Sequence, residues 1–290
     1  MSAATGSSTL ALTWSQLRLQ QRLFWRNRQA AVFSFGLPVL FVILFGLLFR
    51  NNGTAGTGGV PYTAYFVAGM IGVALLSSTF ANLAITLSFQ RDQLILKRLR
   101  GTPLGPGPMF AGLVLNAVTV VVIQVALILV LGRLFYGTPF PRNPLAFVLI
   151  VLTGIVVFAM AGIAFTGFIA NADSGPAVVQ VPFLTLQFIS GVYFPFGSEP
   201  TFLKAVADVF PLRWFLDAIR AGYLGFDYFH TRVLRPGPAD GRSTTTSVPT
   251  VVHGLRAITA VGPAYAMLGL WLVIFVALAR RRFRWERRAV

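Results

Sequence analysis

Apolar residues fall along this chain in long runs, and the polar and basic residues gather in the gaps between them. A hydrocarbon core of about 30 Å needs roughly 20 apolar residues in helix. Six runs qualify: 30–49, 62–88, 109–132, 145–170, 176–196 and 262–279. The first is the purest. Val32 to Phe49 holds fourteen Val, Ile, Leu or Phe and no charge, which favours insertion by roughly 4 to 8 kcal/mol. Pro38 is tolerable inside it, because neighbouring helices satisfy the freed carbonyl. Only NADSG (171–175), a turn by composition, separates the fourth and fifth runs.

The gaps carry patterns of their own. LTWSQLRLQQRLFWRNRQ (12–29) is too charged to cross, yet Arg18, Arg22 and Arg26 recur every four residues, with Trp14, Leu17, Leu23, Phe24 and Trp25 largely elsewhere. That pattern predicts a helix lying in the interface plane. In the outer segment 197–261, TFLKAVADVFPLRWFLDAIRAGYLGF predicts two short helices flanking Pro211 and dipping into the outer leaflet. Lys204, Asp208, Arg213, Asp217 and Arg220 are spaced there for pairing. Residues 235–250 read as a flexible polar loop. The expected fold is a single all-α polytopic membrane domain over 1–290. It has six transmembrane helices, an N-terminal interfacial amphipathic helix and short re-entrant outer helices between the fifth and sixth spans.

Composition agrees. The 290 residues are 56% hydrophobic and 11% charged, too little polar surface for a soluble domain. The net charge of +16 sits between apolar runs instead of on a soluble basic face, so lipid headgroups, and not nucleic acid, are the expected partners. Lys and Arg near the run ends number four in 1–29, four in 89–108 and six in 280–290, against one in 50–61 and two in 133–144. The bias places both termini in the cytoplasm of a cell-membrane protein. The polar start, MSAATGSSTLALTW, lacks a cleavable leader and is expected to be retained.

Several chemistries are disfavoured. There is no cysteine for a disulfide, thiolate metal site or nucleophile. A phosphate-binding loop needs a lysine after a glycine, whereas Lys97 and Lys204 each follow a leucine. All eight acids lie outside the six runs, which argues against a proton- or ion-coupled carrier. His230 and His253 are 23 apart in the outer segment, unlike a metalloprotease pair. No catalytic, cofactor or metal site is expected. The mild polar residues within the runs, among them Thr79, Asn82, Thr86, Asn116, Gln187 and Ser190, either bond helix to helix or line a pathway for amphiphilic cargo.

The most informative gap is FQRDQLILKRLRGTPLGPGP (89–108). Arg91 to Arg100 is expected to continue the second span as helix, with Ile95, Leu96 and Leu99 clustered and Arg91, Lys97, Arg98 and Arg100 off their arc. Gly101 and Pro103 then end it. A snorkelling boundary explains the arginines but not the leucines followed by a hard break. A short peg that takes force from a cytoplasmic partner explains both.

Here the sequence resembles the ABC type-2 exporter permeases of the daunorubicin-resistance kind. RDQLILKRLRGTPLGPGP is similar to the family's Gly-Thr-hydrophobic-Lys-Arg-Leu-Arg-x-Thr-Pro-Leu segment, with Asp92-Gln93-Leu94 in place of the usual acidic–Gly–Thr lead-in. QFISGVYFPFGSEPTFLKAVADVFPLRWFLDAIRAGYLG resembles its second pattern through Ser190, Gly191, Phe194, Pro195, Pro200, Pro211, Leu212, Asp217, Ala218 and Arg220. The resemblance implies a permease half without its own nucleotide site, paired with a second copy or paralogue. It would dock a cytoplasmic ATPase dimer that holds the ATP and Mg. Arg91, Asp92, Ile95, Leu96, Lys97, Arg98, Leu99, Arg100, Thr102 and Pro103 would form the coupling element over 91–103. Gly191, Phe194, Pro195, Pro211, Leu212, Asp217 and Arg220 would belong to the outer re-entrant element. The cargo expected is a lipophilic drug, as in multidrug efflux and antibiotic resistance, a lipid or a lipid-linked molecule. The alternatives are a polysaccharide or teichoic-acid exporter and an ATP-independent carrier.

Overall fold

Prolines mark where several helices begin. Pro144, Pro176, Pro211 and Pro263 each stand in the first turn of a helix, where the missing N–H has no intrahelical partner to lose. The computed structural model describes residues 9–49, 53, 60–100, 106–193, 201–234, 246–251 and 259–283. The order is α1 (Thr9–Arg26), α2 (Arg28–Leu48), α3 (Tyr62–Asp92), α4 (Ile95–Arg100), α5 (Pro106–Tyr136) and α6 (Pro144–Phe165), which ends in a 3₁₀ turn, Thr166–Phe168. Then follow α7 (Gly175–Ile189), α8 (Thr201–Val209), α9 (Pro211–Leu224), β1 (Phe226–Leu234), β2 (Thr246–Val251) and α10 (Gly262–Arg282).

Among the described residues α3, α5, α6 and α10 are long and apolar enough to cross a membrane. The other two expected spans appear as shorter apolar helices, Ser34–Leu48 within α2 and Gly175–Ile189. The run 176–196 stops being helical at Ile189 because Gly191 adopts a φ of 71°, a left-handed turn that glycine takes without steric cost. Leu40, Leu47, Val148, Val181, Phe188 and Val273 are exposed on the helix outsides, which suits lipid and not water.

The core is built around α3, which α6 and α9 cover. Inside α3 the α-helical bonding widens to a π turn over Ser77–Ala81, and α6 comes to its closest approach there. A Cβ at Gly162 would lie 2.7 Å from the Phe80 carbonyl oxygen and 3.0 Å from that of Thr79. Eight residues earlier on α6, about two turns, Gly154 receives the Phe215 ring of α9. A smaller core at the far end of α3 joins Leu83, Leu87, Leu96, Met109, Ile163 and Ala279.

Two expectations change. The predicted helix over 91–100 is not one continuation of α3: Leu94 turns into the left-handed region with φ 58°, so α4 starts afresh and folds back, burying Leu96 in the smaller core. The outer segment is not all helix and loop. β1 and β2 pair antiparallel from Phe226↔Val251 to Leu234↔Thr246, so part of 235–250 is strand; Phe226, Tyr228, Phe229, Thr231 and Val233 supply the aromatic and β-branched residues that favour one. α9 lies within the bundle. Every residue from Phe215 to Leu224 is buried, and α9 runs antiparallel to α6, with Gly222 against Phe147 and Phe215 against Gly154.

Candidate functional site: the two polar ends of the helix bundle

The end of the bundle that carries α4 is basic. It gathers Arg18, Arg22 and Arg26 of α1, Lys97 and Arg98 of α4, and Arg280, Arg281 and Arg282 of α10. The first helix seats here through polar residues. Gln16 and Gln20 are buried, and Gln16 lies so close to Gly112 of α5 that a Cβ there would meet it at 2.5 Å. Leu10, Trp14 and Trp25 stay exposed, and the Arg18 guanidinium sits 5.3 Å from the Trp14 ring. α1 thus lays one face on α5, while Phe24 and Trp25 meet the Phe35 ring of α2.

The sequence assigned Arg91 to Pro103 to one coupling element, and the structure divides it. Lys97 and Arg98 are exposed, Ile95 is half-buried and Leu96 is fully buried. The side chains of Leu99 and Arg100, and all of Thr102 and Pro103, lie outside the described residues. Arg91 and Asp92 face inward. The Arg91 guanidinium donates to the carbonyls of Thr166 (3.2 Å), Ile169 (2.8 Å) and Ala170 (3.4 Å), capping the carbonyl end of α6 with a positive charge. Asp92 sits beside it at 3.5 Å and accepts the Ala172 N–H at 2.6 Å. The same turn meets α10, where Gly167 packs on the Arg282 backbone and the Arg282 guanidinium lies 5.7 Å from the Phe168 ring.

At the opposite end the chain after α7 is pinned to α3 and α9. Tyr62 donates its hydroxyl to the Tyr193 carbonyl at 2.7 Å and Tyr65 to the Gly191 carbonyl at 3.2 Å. Gly69 admits the Val192 carbonyl where a Cβ would stand. Arg220, fully buried, donates to Gly191 at 2.6 Å and to Asp217 at 3.1 Å, and its guanidinium lies 3.8 Å from the centre of the Tyr65 ring. Asp217 also pairs with Arg213 at 3.0 Å, and Arg213 reaches towards Asp208 at 3.9 Å. The Arg213–Asp217 and Arg220–Asp217 pairs match the expected spacing and are buried within the bundle, whereas Asp208 is partly exposed. Each buried ion has its partner, as burial demands. The carbonyls of Gly222 and Tyr223 accept the backbone N–H groups of Asn143 and Arg142, each at 3.0 Å. Of the expected outer residues, Gly191, Leu212, Asp217 and Arg220 are buried around this end of the bundle and Pro211 opens α9. Phe194 and Pro195 lie outside the described residues.

Of the six polar residues named for a pathway, three lie on α3, one on α5, one on α7 and one just after α7. Thr79 lies in the π turn and bonds the Leu75 carbonyl, while Asn82 and Thr86, half-buried, face each other at 3.4 Å. Asn116 is one turn past Gly112, on the α5 face towards α1. Gln187 accepts from the Tyr193 hydroxyl at 2.6 Å, and the Gln187 amide nitrogen, the Ser190 hydroxyl and the Asn116 carbonyl oxygen are buried with no hydrogen-bond partner among the described residues. A network missing from that set ties three helices: Ser78 donates to Gln124 at 2.6 Å, and Gln124 donates to the Ser34 carbonyl at 2.8 Å. Its signal was a serine and a glutamine inside apolar runs, which pairwise spacing cannot match across helices. Among the described residues no group of three or more His, Asp or Glu could hold a metal.

Residues 8–224, α1 through α9, match the family model described as ABC-2 type transporter. The chain is similar to Nodulation protein J of Rhizobium leguminosarum bv. trifolii, 26% identical over 74% of this chain and 82% of that protein. It is likewise similar to Inner membrane transport permease YadH of Escherichia coli K12, 23% identical over 66% of this chain and 75% of that one. With α1 through α9, the capped α6 turn and the pinned turn after α7 inside the matched stretch, the chain belongs to the ABC-2 type transporter family, as a membrane-spanning permease.

Proposed function

We propose that this chain is the membrane half of an exporter, moving a lipophilic or lipid-linked molecule outward with energy from a separate cytoplasmic ATPase dimer. The observation that carries the reading is α4. A six-residue helix turns back at Leu94, anchors Leu96 in the bundle and leaves Lys97 and Arg98 outward. That is a docking surface with a rigid root. ATP and Mg would be held by the partner. A second copy or a paralogue would complete the permease.

The basic end would face the cytoplasm, in line with the charge bias of short loops, so both termini lie inside. Six crossings fit if α2 counts: its 21 residues reach about 31 Å at 1.5 Å per residue. The 15-residue α7 reaches only about 22 Å and would cross with the chain that follows it. α8 and α9 would be the re-entrant pair. Their join at Phe210–Pro211 packs near Trp271, well inside α10: the Trp271 indole donates to the Val209 carbonyl at 2.9 Å. The cargo is kept at the level of an amphiphile. The relatives' names speak of nodulation and inner-membrane transport, and neither speaks of drug resistance.

The test is reconstitution of the permease in liposomes with and without its ATPase, following a fluorescent short-chain lipid. ATP-dependent movement that charge reversal at Lys97 and Arg98 abolishes supports the reading. Movement independent of ATP favours a carrier.

A further inference from the structure

The family resemblance places the Arg91–Asp92 pair in the element that would meet the ATPase. Its geometry gives it another task. Arg91 is held at both ends of the residue. Its backbone carbonyl accepts the Leu94 N–H at 3.0 Å, at the pivot from which α4 departs. Its guanidinium, buried to 4% exposure, donates to three carbonyls at the end of α6. Asp92, one residue on, holds the Ala172 N–H of the same turn. Only Gln93 and Leu94 separate this pair from α4, and the Gln93 N–H is itself bonded back to Phe89 at 3.0 Å. Little slack exists between the docking helix and the turn.

The turn is also a junction. Its Gly167 packs on the Arg282 backbone of α10. Its Asn171 side chain accepts the Ser174 N–H at 2.9 Å, immediately before α7 begins. At Gly175 a Cβ would meet Ile169 and the Ser88 Cβ of α3 in ordinary contact, at 3.7 and 3.8 Å. A push on α4 therefore reaches α6, α7 and α10 through one set of charge-assisted hydrogen bonds, which are short and directional. α7 is the element such a push would move most readily, since only Gly175, Val179 and Gln187 of it are buried. A static helix cap would need the guanidinium and its carbonyls, but not an adjacent carboxylate gripping the far side of the turn.

We propose that Arg91 and Asp92 are positioning residues that transmit displacement of α4 to the α6–α7 turn, so that docked ATPase motion shifts α7. This rests on the reading that α4 receives a cytoplasmic ATPase. The chain has no cysteine, so Val181→Cys on the exposed face of α7 gives a unique site for an environment-sensitive fluorophore. The labelled permease is purified with its ATPase and placed in nanodiscs, and ATP hydrolysis and the ATP-induced fluorescence change are read on the same sample. Arg91→Gln and Asp92→Asn are expected to cut the fluorescence change at least fivefold while hydrolysis stays within twofold, and Arg91→Lys to restore part of the change. Asp92→Asn keeps the shape of the side chain and carries the test if Arg91→Gln does not fold. A fluorescence change that survives in both variants, or that falls only in proportion to hydrolysis, overturns the proposal. A wild-type permease that retains no ATPase overturns the parent reading, and this one with it.

Discussion

Gly162→Ala isolates the contact between the π turn of α3 and α6. The added Cβ would stand 2.7 Å from the Phe80 carbonyl oxygen and 3.0 Å from that of Thr79, where ordinary contact begins at 3.4 Å. Both are backbone atoms, so no side chain can swing aside. α3 and α6 must part by about 0.7 Å, and α6 is held eight residues earlier by Phe215 against Gly154. Overpacking of this kind costs about 1–3 kcal/mol, and the better helix propensity of alanine returns about 1 kcal/mol. The net expectation is a loss of up to about 2 kcal/mol. Gly36→Ala in α2 is the control, because nothing lies within 4 Å of its Cβ position, and there alanine should gain up to about 1 kcal/mol. The assay is the midpoint of heat-induced loss of the monodisperse chromatographic peak in one detergent. Gly162→Ala should fall below wild type and Gly36→Ala should not. Equal midpoints for the two variants would refute the close approach of α6 to the π turn.

Arg220→Met leaves Asp217 with Arg213 alone and removes the donor to Gly191; breaking one side of a buried pair costs roughly 3–5 kcal/mol, so a large fall in the same midpoint is expected. Asp217→Asn should cost less, since Arg220 keeps the Gly191 carbonyl and the Tyr65 ring. Leu94→Val should destabilise by about 1 kcal/mol or more, because a β-branched side chain resists the left-handed φ of 58°, whereas Leu94→Gly should be tolerated. Lys97→Glu combined with Arg98→Glu changes exposed residues, so the midpoint should stay put while ATPase recovered with the permease falls at least tenfold.

The long helices were legible because a bilayer demands continuous apolar length, and their starts because prolines occupy first turns. Helix over Ile95–Arg100 was legible from its leucines, but the kink at Leu94 that separates it from α3 was not. The burial of α9 was not. Arg213, Asp217 and Arg220 look like a solvated face in one dimension, and only their mutual pairing, with Gly191 and Tyr65 as further partners, lets the helix enter the bundle. The π turn leaves no periodic mark, since five residues shift the register once and the apolar pattern resumes. Arg91 is a related case. A cation at the end of a span reads as snorkelling, while its acceptors, the carbonyls of Thr166, Ile169 and Ala170, are some eighty residues away and carry no side-chain signature.

The most direct test of the account is gentle affinity purification of the tagged protein from its native membrane, followed by mass spectrometry of what comes with it. The account predicts a soluble P-loop ATPase in stoichiometric amount, lost when Lys97 and Arg98 are reversed in charge. A protein that purifies alone and moves solute in liposomes without ATP would contradict it.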